Sequence, residues 1–159
     1  MTTPHGHAAE QASGSALNRL ALSATVHCLT GCAIGEVLGM ILATWWGWGD
    51  VASILLAVVL AFFFGYALTS LPLLRSGMSV RQAAPLAFAS DTASIGTMEV
   101  VDNLFIVVVP GALAAGLADG LFWWSLAVSL LIAGIVAFPL NRWLISRGKG
   151  HAVVHGHHG

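Results

Sequence analysis

The sequence predicts an all-α polytopic membrane protein whose four transmembrane helices form an up-down bundle. The chain of 159 residues is 57% hydrophobic and only 8% charged, with a mean hydropathy of +0.85, whereas soluble domains carry about 25% charged residues. It contains four long apolar runs, and its six basic residues all fall on one side of the bundle that these runs predict. These three observations exclude a water-soluble globule and a disordered chain.

Charge and cysteine content exclude two further classes. The net charge of −1 lacks the basic face that nucleic-acid binding requires, so no nucleic-acid partner is expected. Two cysteines are too few for a disulfide framework. The expected partner is the lipid bilayer, together with further copies of the chain in a homo-oligomer.

The chain divides into three segments. Residues 1–16 are small and polar and are predicted to be a disordered cytoplasmic lead-in, residues 17–147 are the transmembrane domain, and residues 148–159 are a His-rich cytoplasmic tail. About 20 residues span the hydrocarbon core, which assigns one span to each apolar run: Leu17–Trp46, Val51–Leu73, Gln82–Leu117 and Leu121–Leu144. The third run would be about 54 Å long as one helix, so it is expected to be tilted, extended into the cytosol, or bent at Pro110.

The distribution of charged and aromatic residues orients the bundle. Asp50 and Asp119 lie in the first and third connections, which contain no Lys or Arg. Tryptophans and phenylalanines flank these connections in the manner of a belt at a lipid–water interface: Trp45, Trp46, Trp48, Phe122, Trp123 and Trp124. The basic residues occupy the other side, which the positive-inside rule assigns to the cytoplasm: Arg19, Arg75, Arg81, Arg142, Arg147 and Lys149. Both termini are therefore predicted to be cytoplasmic.

Two of the predicted spans contain polar strings. The first reads HCLTGCAIGE from His27 to Glu36, and the third reads SDTASIGTMEVVDN from Ser90 to Asn103. At about 100° per residue, the first string places Cys28, Cys32 and Glu36 on one stripe. The second places Asp91, Met98 and Asp102 within a narrow arc that Glu99 flanks. The two stripes lie at similar depths and can meet near the midplane of the membrane.

The side chains of these stripes are candidates for two kinds of site. His27, Cys28, Cys32 and Met98 are ligand types suited to a soft transition-metal ion such as copper, zinc or iron. A free buried cysteine is equally at home as a small hydrophobic residue, and a disulfide is disfavoured because Cβ atoms four residues apart on a helix are about 5–6 Å apart. The carboxylates are candidates for an ion or proton pathway: Glu36, Asp91, Glu99 and Asp102.

Two further features accompany the polar strings. Gly31, Gly35 and Gly39 repeat every four residues and predict a close approach by another helix. The tails contain spaced histidines, which are weakly typical of metal collection and are equally compatible with a solvated tail: His5, His7, His151, His155, His157 and His158.

The two strings resemble the signatures of a family of small bacterial four-helix membrane proteins catalogued as a domain of unknown function. The resemblance covers about Leu17 to Lys149 and leaves both tails outside. It implies the four-helix architecture and a place in the bacterial inner membrane. It implies no activity, ligand or catalytic residue.

Four functions follow from the residues. The first is transport or handling of a transition metal, and the second is a proton- or ion-coupled carrier without a soft metal. A thiol oxidoreductase using Cys28 and Cys32 is a weaker hypothesis, because helical spacing opposes their disulfide and no nucleotide-binding or triad motif occurs. A structural or assembly subunit held together by buried polar residues is the fourth. No catalytic residue and no organic cofactor are predicted.

Overall fold

The computed structural model describes the backbone of residues 4–147 and the side chains of residues 14–147. It contains four α-helices and, within this range, no strand. They are α1 (Pro4–Trp46), α2 (Asp50–Arg75), α3 (Val80–Val108) and α4 (Gly120–Ser146). The prediction of an all-α chain is confirmed, while the domain boundaries at residues 16 and 147 stay predictions.

The helix ends follow local signals. Gly47 and Gly77 adopt positive φ values of 67° and 93° in the turns after α1 and α2, a conformation that favours glycine. At the start of α3 the backbone N–H of Ser79 donates to Oε1 of Gln82 at 3.2 Å, which is half of a capping box. These signals keep the α1–α2 and α2–α3 connections short.

Two helix ends differ from the sequence prediction. Helix α1 begins at Pro4, ahead of the apolar run that starts at Leu17. Helix α3 ends at Val108. The prediction extended this helix to Leu117, with a tilt, an extension into the cytosol or a bend at Pro110 as the alternatives. Val109 is extended, with φ −80° and ψ 117°, because a residue that precedes proline is disfavoured in the helical region. Pro110 therefore ends the helix, and residues 109–119 form an irregular connection to α4.

Consecutive helices are antiparallel, as the register of their contacts shows. Along α1, Gly31, Gly35 and Gly39 meet α2 residues of steadily decreasing number. Between α3 and α4, the hydroxyl of Ser129 donates to Asp102. Helix α1 also packs against α4, where Nδ2 of Asn141 donates to Oγ1 of Thr25 at 2.9 Å. The helices thus alternate in direction, and α1 and α3 are a parallel pair that touches across the centre of the bundle.

Glycine permits the closest contact in the bundle, between α1 and α2. A Cβ added to Gly31 would lie 2.8 Å from Cα of Gly65, and one added to Gly39 would lie 2.7 Å from Cα of Ala57. Gly35 faces the backbone of Ala61 more closely still. Backbone atoms cannot yield as a flexible side chain does, so these positions exclude any larger residue.

The outer surface of the bundle is apolar along its length. Helices α1 (from Gly14), α2 and α4 are each long and apolar enough to cross a membrane. Large hydrophobic side chains of α2 are exposed at 61–73%: Val51, Leu55, Val59 and Phe63. A soluble protein rarely exposes so continuous an apolar surface, and lipid is the environment that suits it.

Helix α3 is not among the helices whose length and apolar composition are sufficient to cross a membrane. Its carboxylates Asp91, Glu99 and Asp102 lower its hydropathy, but these side chains are 0–5% exposed. Its outward residues are apolar instead, with Val100 and Leu104 more than 60% exposed. The helix therefore turns its polar side inward and its apolar side outward, the reverse of a helix on a soluble protein.

We predict that Gly35→Ala lowers the thermal stability of the protein in detergent. The added methyl group would press on the α2 backbone at Ala61, and overpacking of this kind costs about 1–3 kcal/mol. Thermal unfolding followed by circular dichroism measures the change.

Gly96→Ala is the matched control, because its methyl group would meet only the ring of Phe62 at 3.9 Å. Alanine is the better helix former by about 1 kcal/mol, so this variant should keep or raise the melting temperature. An equal effect of the two substitutions would contradict the assigned α1–α2 contact.

Candidate functional site

A seam of polar side chains fills the contact between α1 and α3. We call it the polar seam and define it by seven residues: Cys28, Cys32, Glu36, Asp91, Ser94, Glu99 and Asp102. Every one of them is at most 8% exposed. The spacing of the α1 members by four residues and the matching depth of the α3 members bring the two stripes together.

The side chains pair in order along the seam. Cys28 lies close to Asp91 and Ser94. One turn further along α1, Cys32 lies close to Glu99. These two contacts occupy the middle of the seam and bury both thiols.

The third pair consists of two carboxyl groups. The side chains of Glu36 and Asp102 are in hydrogen-bonding contact with each other. Asp102 also accepts a hydrogen bond from the hydroxyl of Ser129 on α4. Glu99 is near enough to interact electrostatically with both carboxyl groups, and its backbone oxygen accepts from Nδ2 of Asn103 at 2.8 Å. The result is three buried carboxyls, one from α1 and two from α3, with one hydroxyl from α4.

A cavity of about 230 Å³ begins at these three carboxyls and extends to the end of the bundle that carries the α1–α2 and α3–α4 connections. Glu36, Glu99 and Asp102 line its inner end, and Trp48 and Asp50 line it at the first connection. Its walls are mainly apolar: Met40, Ile54, Ala57, Ile106, Phe122 and Leu126. Residues 112–116 of the irregular connection also line it, so the ending of α3 at Val108 helps to form the cavity.

Three buried oxygen atoms in the cavity lining have no hydrogen-bond partner. They are Oε1 of Glu36, Oε1 of Glu99 and Oγ of Ser125. Their residues are 8%, 5% and 3% exposed. A buried polar atom without a partner costs free energy, so this group of oxygens is suited to a ligand that donates hydrogen bonds.

The predicted soft-metal ligands are divided between two contacts. Cys28, Cys32 and Met98 belong to one buried cluster. His27 is half-buried and lies one turn before Gly31, on the stripe of α1 that meets α2. Among the side chains of residues 14–147, no three His, Cys, Asp or Glu residues come together as a metal-binding group.

Other predicted residues fall away from the seam or outside the described part of the chain. The glycines Gly31, Gly35 and Gly39 lie against α2. The tail histidines lie outside the residues whose side chains are described: His5, His7, His151, His155, His157 and His158. Their predicted metal-collecting role stays a prediction.

The sequence analysis missed the contribution of α4. Ser125 and Ser129 lie four residues apart in the first half of α4, which is otherwise apolar, and both are buried. Ser129 reaches Asp102 and Ser125 lines the cavity. Their i, i+4 spacing is a signal that both hydroxyls face the same neighbour, and it was available in the sequence.

Comparison with known proteins identifies the family alone. No curated protein and no solved structure matches the chain. A family model does match, over residues 18–150, and its description is a domain of unknown function, DUF4396. This range contains both polar strings and, apart from Leu17, all four apolar runs, as the resemblance noted from the sequence implied. The chain therefore belongs to the DUF4396 family.

Proposed function

We propose that this protein is a proton-coupled carrier, in which the polar seam exchanges protons and the cavity holds the transported solute. The observation that carries the proposal is the presence of three buried carboxyl groups, those of Glu36, Glu99 and Asp102, in the lining of one cavity. Ionisable groups inside membrane helices are costly and commonly mark proton relays and ion pathways.

Proton exchange is favoured by the contact between the two carboxyl groups. Two ionised carboxylates repel each other at hydrogen-bonding distance, so the contact between Glu36 and Asp102 requires a proton on one of them. Asp102 gains a donor from Ser129, and Glu36 retains one oxygen without a partner. The pair can release its proton when a cation enters the cavity and recover it when the cation leaves.

The seam extends far enough to serve as part of a proton route. Asp91 and Asp102 are eleven positions apart on α3, which corresponds to about 16 Å along the helix. The hydrocarbon core is about 30 Å thick. The carboxyls of α3 therefore extend over about half of that thickness.

The carrier is proposed to span the membrane four times with both termini in the cytoplasm. The composition of α3 does not by itself identify it as a membrane span. Its apolar outward surface supports its assignment as a span in addition to α1, α2 and α4. Arg75 and Arg81 lie at the α2–α3 connection, and Arg142 lies beside Asn18 at a distance of 2.7 Å. The exposed tryptophans of the other two connections lie at the opposite end. This polarity matches the positive-inside rule for a bacterial inner membrane, and a homo-oligomer remains an expectation.

We predict that Asp102→Asn lowers proton movement by about tenfold or more, the usual scale for loss of a proton-transfer group. Proteoliposomes that contain a pH dye and a mixture of small organic and inorganic cations, and that receive an external acid pulse, measure the rate of internal acidification as cations leave in exchange for protons. Asn keeps the size of the side chain and can still accept from Ser129, but it holds no exchangeable carboxyl proton.

A double variant, Cys28→Ala with Cys32→Ala, is the control for this experiment. It alters the middle of the seam without removing a carboxyl group, so proton movement should stay within about twofold of the wild-type rate. Wild-type proteoliposomes that acidify no faster than protein-free liposomes would contradict the proposal and favour a structural subunit.

A soft-metal protein is the second candidate, because Cys28, Cys32 and Met98 share one buried cluster. Thiolate and thioether sulfur suit Cu(I). This candidate predicts stoichiometric copper, zinc or iron in protein purified without metal-affinity chromatography. It further predicts that Cys32→Ala weakens metal binding, whereas the proton-coupled carrier needs neither result.

Elemental analysis after loading with Cu(I), Zn(II) or Fe(II) decides between the two candidates. Less than about one-tenth of an equivalent of metal, unchanged by Cys32→Ala, would remove the soft-metal candidate. A full equivalent that is lost in Cys32→Ala would support it.

The topology makes a separate prediction. In the background that lacks both native cysteines, Ala118→Cys should react with a membrane-impermeant maleimide on intact cells, and Ser76→Cys should react only after the cells are opened. Both positions are exposed and lie at opposite ends of the bundle. Labelling of both positions on intact cells would contradict the four-span arrangement.

A further inference from the structure

We infer that the cavity binds a small organic ammonium ion, with the charged nitrogen at the three carboxyls and an apolar body directed toward Trp48. The inference rests on the proposed function, because it names the class of solute that the proton-coupled carrier would exchange. It is carried by the chemistry of the cavity lining, which has an acidic inner end and apolar walls.

The charge of the lining selects a cation. The ionisable residues that line the cavity are Glu36, Asp50, Glu99 and Asp102, and all are acidic. No Lys or Arg of the described residues is part of this lining. An anion would meet uncompensated carboxylates at both ends of the cavity, whereas a cation would be stabilised along its length.

The three unpartnered oxygens select a hydrogen-bond donor. A primary ammonium group has three N–H donors and no acceptor. Oε1 of Glu36, Oε1 of Glu99 and Oγ of Ser125 are three buried acceptors that lack a donor, and all three residues line the cavity. The three donors of the ammonium group equal the three unpartnered oxygens in number. Binding would provide these buried oxygens with hydrogen-bond donors.

The walls and the size select an organic ion over a bare metal ion. A calcium ion is bound by six to eight oxygens, and within residues 14–147 no three acidic, His or Cys residues form a metal group. The volume of about 230 Å³ is smaller than the pockets of about 300–1,000 Å³ that hold drug-sized molecules. Phe122 and Trp48 add aromatic faces that attract an ammonium ion or pack against an apolar body.

Exchange with protons balances without a further reactant. When one ammonium ion binds, the Glu36–Asp102 pair loses the proton that the two groups share, and the ammonium charge replaces it. When the ion leaves, the pair regains one proton. One positive charge thus replaces another in each half of the cycle, so the net charge of the pair is the same with the proton as with the ammonium ion.

Isothermal titration calorimetry on the full-length protein in lipid nanodiscs tests this inference with three probes. Benzylammonium has the charge and an apolar body, benzyl alcohol has the body without the charge, and methylammonium has the charge without the body. We expect benzylammonium to bind at least about tenfold more tightly than either of the others. Equal binding of benzyl alcohol and benzylammonium, or no binding of benzylammonium, would overturn the inference.

Substitutions locate the site. Glu99→Gln should weaken benzylammonium binding by about tenfold or more, since it removes a buried carboxyl group at the inner end. Asp50→Asn should weaken it by about twofold, because Asp50 is exposed and screened. Asp119→Asn is the matched control: Asp119 is at the same end of the bundle but outside the cavity lining. Asn keeps an oxygen that can accept the hydrogen bond from the N–H of Gly116, so the affinity for benzylammonium should be unchanged.

Glu36→Gln is the second variant if Glu99→Gln does not fold, and it should weaken binding to the same extent. Undiminished binding in the folded variants at positions 36 and 99 would overturn the inference. If benzylammonium fails to bind while Asp102-dependent proton movement persists, the solute class is wrong and the proton-coupled carrier stands. If benzylammonium binds as described but no proton movement occurs, the ammonium site stands and the proposed carrier function is wrong.

Discussion

The burial of four carboxyl groups between α1 and α3 is the constraint on which the rest of this structure depends. Ionised and facing lipid, these groups would cost on the order of 10 kcal/mol together. The bundle instead buries them between the helices, where Asp91 accepts a hydrogen bond from the hydroxyl of Ser90 and Asp102 accepts one from the hydroxyl of Ser129. Every helix can then present an apolar surface outward, including α3.

Packing on the other faces of α1 supports this arrangement. The glycine stripe lets the α2 backbone approach α1 closely, and the hydrogen bond from Asn141 to Thr25 ties α1 to α4. Three faces of one helix are thereby fixed, which sets the rotation of α1 about its axis. That rotation directs Cys28, Cys32 and Glu36 toward α3. The carboxyls at the end of the seam remain incompletely partnered and adjoin the cavity, so the cost of their burial is concentrated where a ligand can reduce it.

Much of this architecture can be predicted from the sequence. Apolar runs located the helices, and helical periodicity placed Cys28, Cys32 and Glu36 on one stripe. Tertiary contacts supplied the rest. His27 and Cys28 are adjacent in sequence, yet about 100° of helical rotation separates them. Within residues 14–147, no three His, Cys, Asp or Glu side chains come together as a metal-binding group.

The remaining differences also have physical causes. Pro110 was interpreted as a bend, whereas the extended residue before it ends α3 and allows the following connection to line the cavity. Ser125 and Ser129 of α4 were missed, although their i, i+4 spacing places both hydroxyls on one face of the helix. Which neighbour that face meets depends on the packing of α3 against α4.

The shared proton of Glu36 and Asp102 is the central claim, and infrared difference spectroscopy during a pH titration of the protein in lipid tests it most directly. A protonated carboxyl group has a C=O stretching band that its ionised form lacks. The structure predicts such a band at neutral pH, and it predicts that Glu36→Gln and Asp102→Asn each remove or shift it. A spectrum without a protonated-carboxyl band at neutral pH, or one that neither substitution alters, would contradict the account.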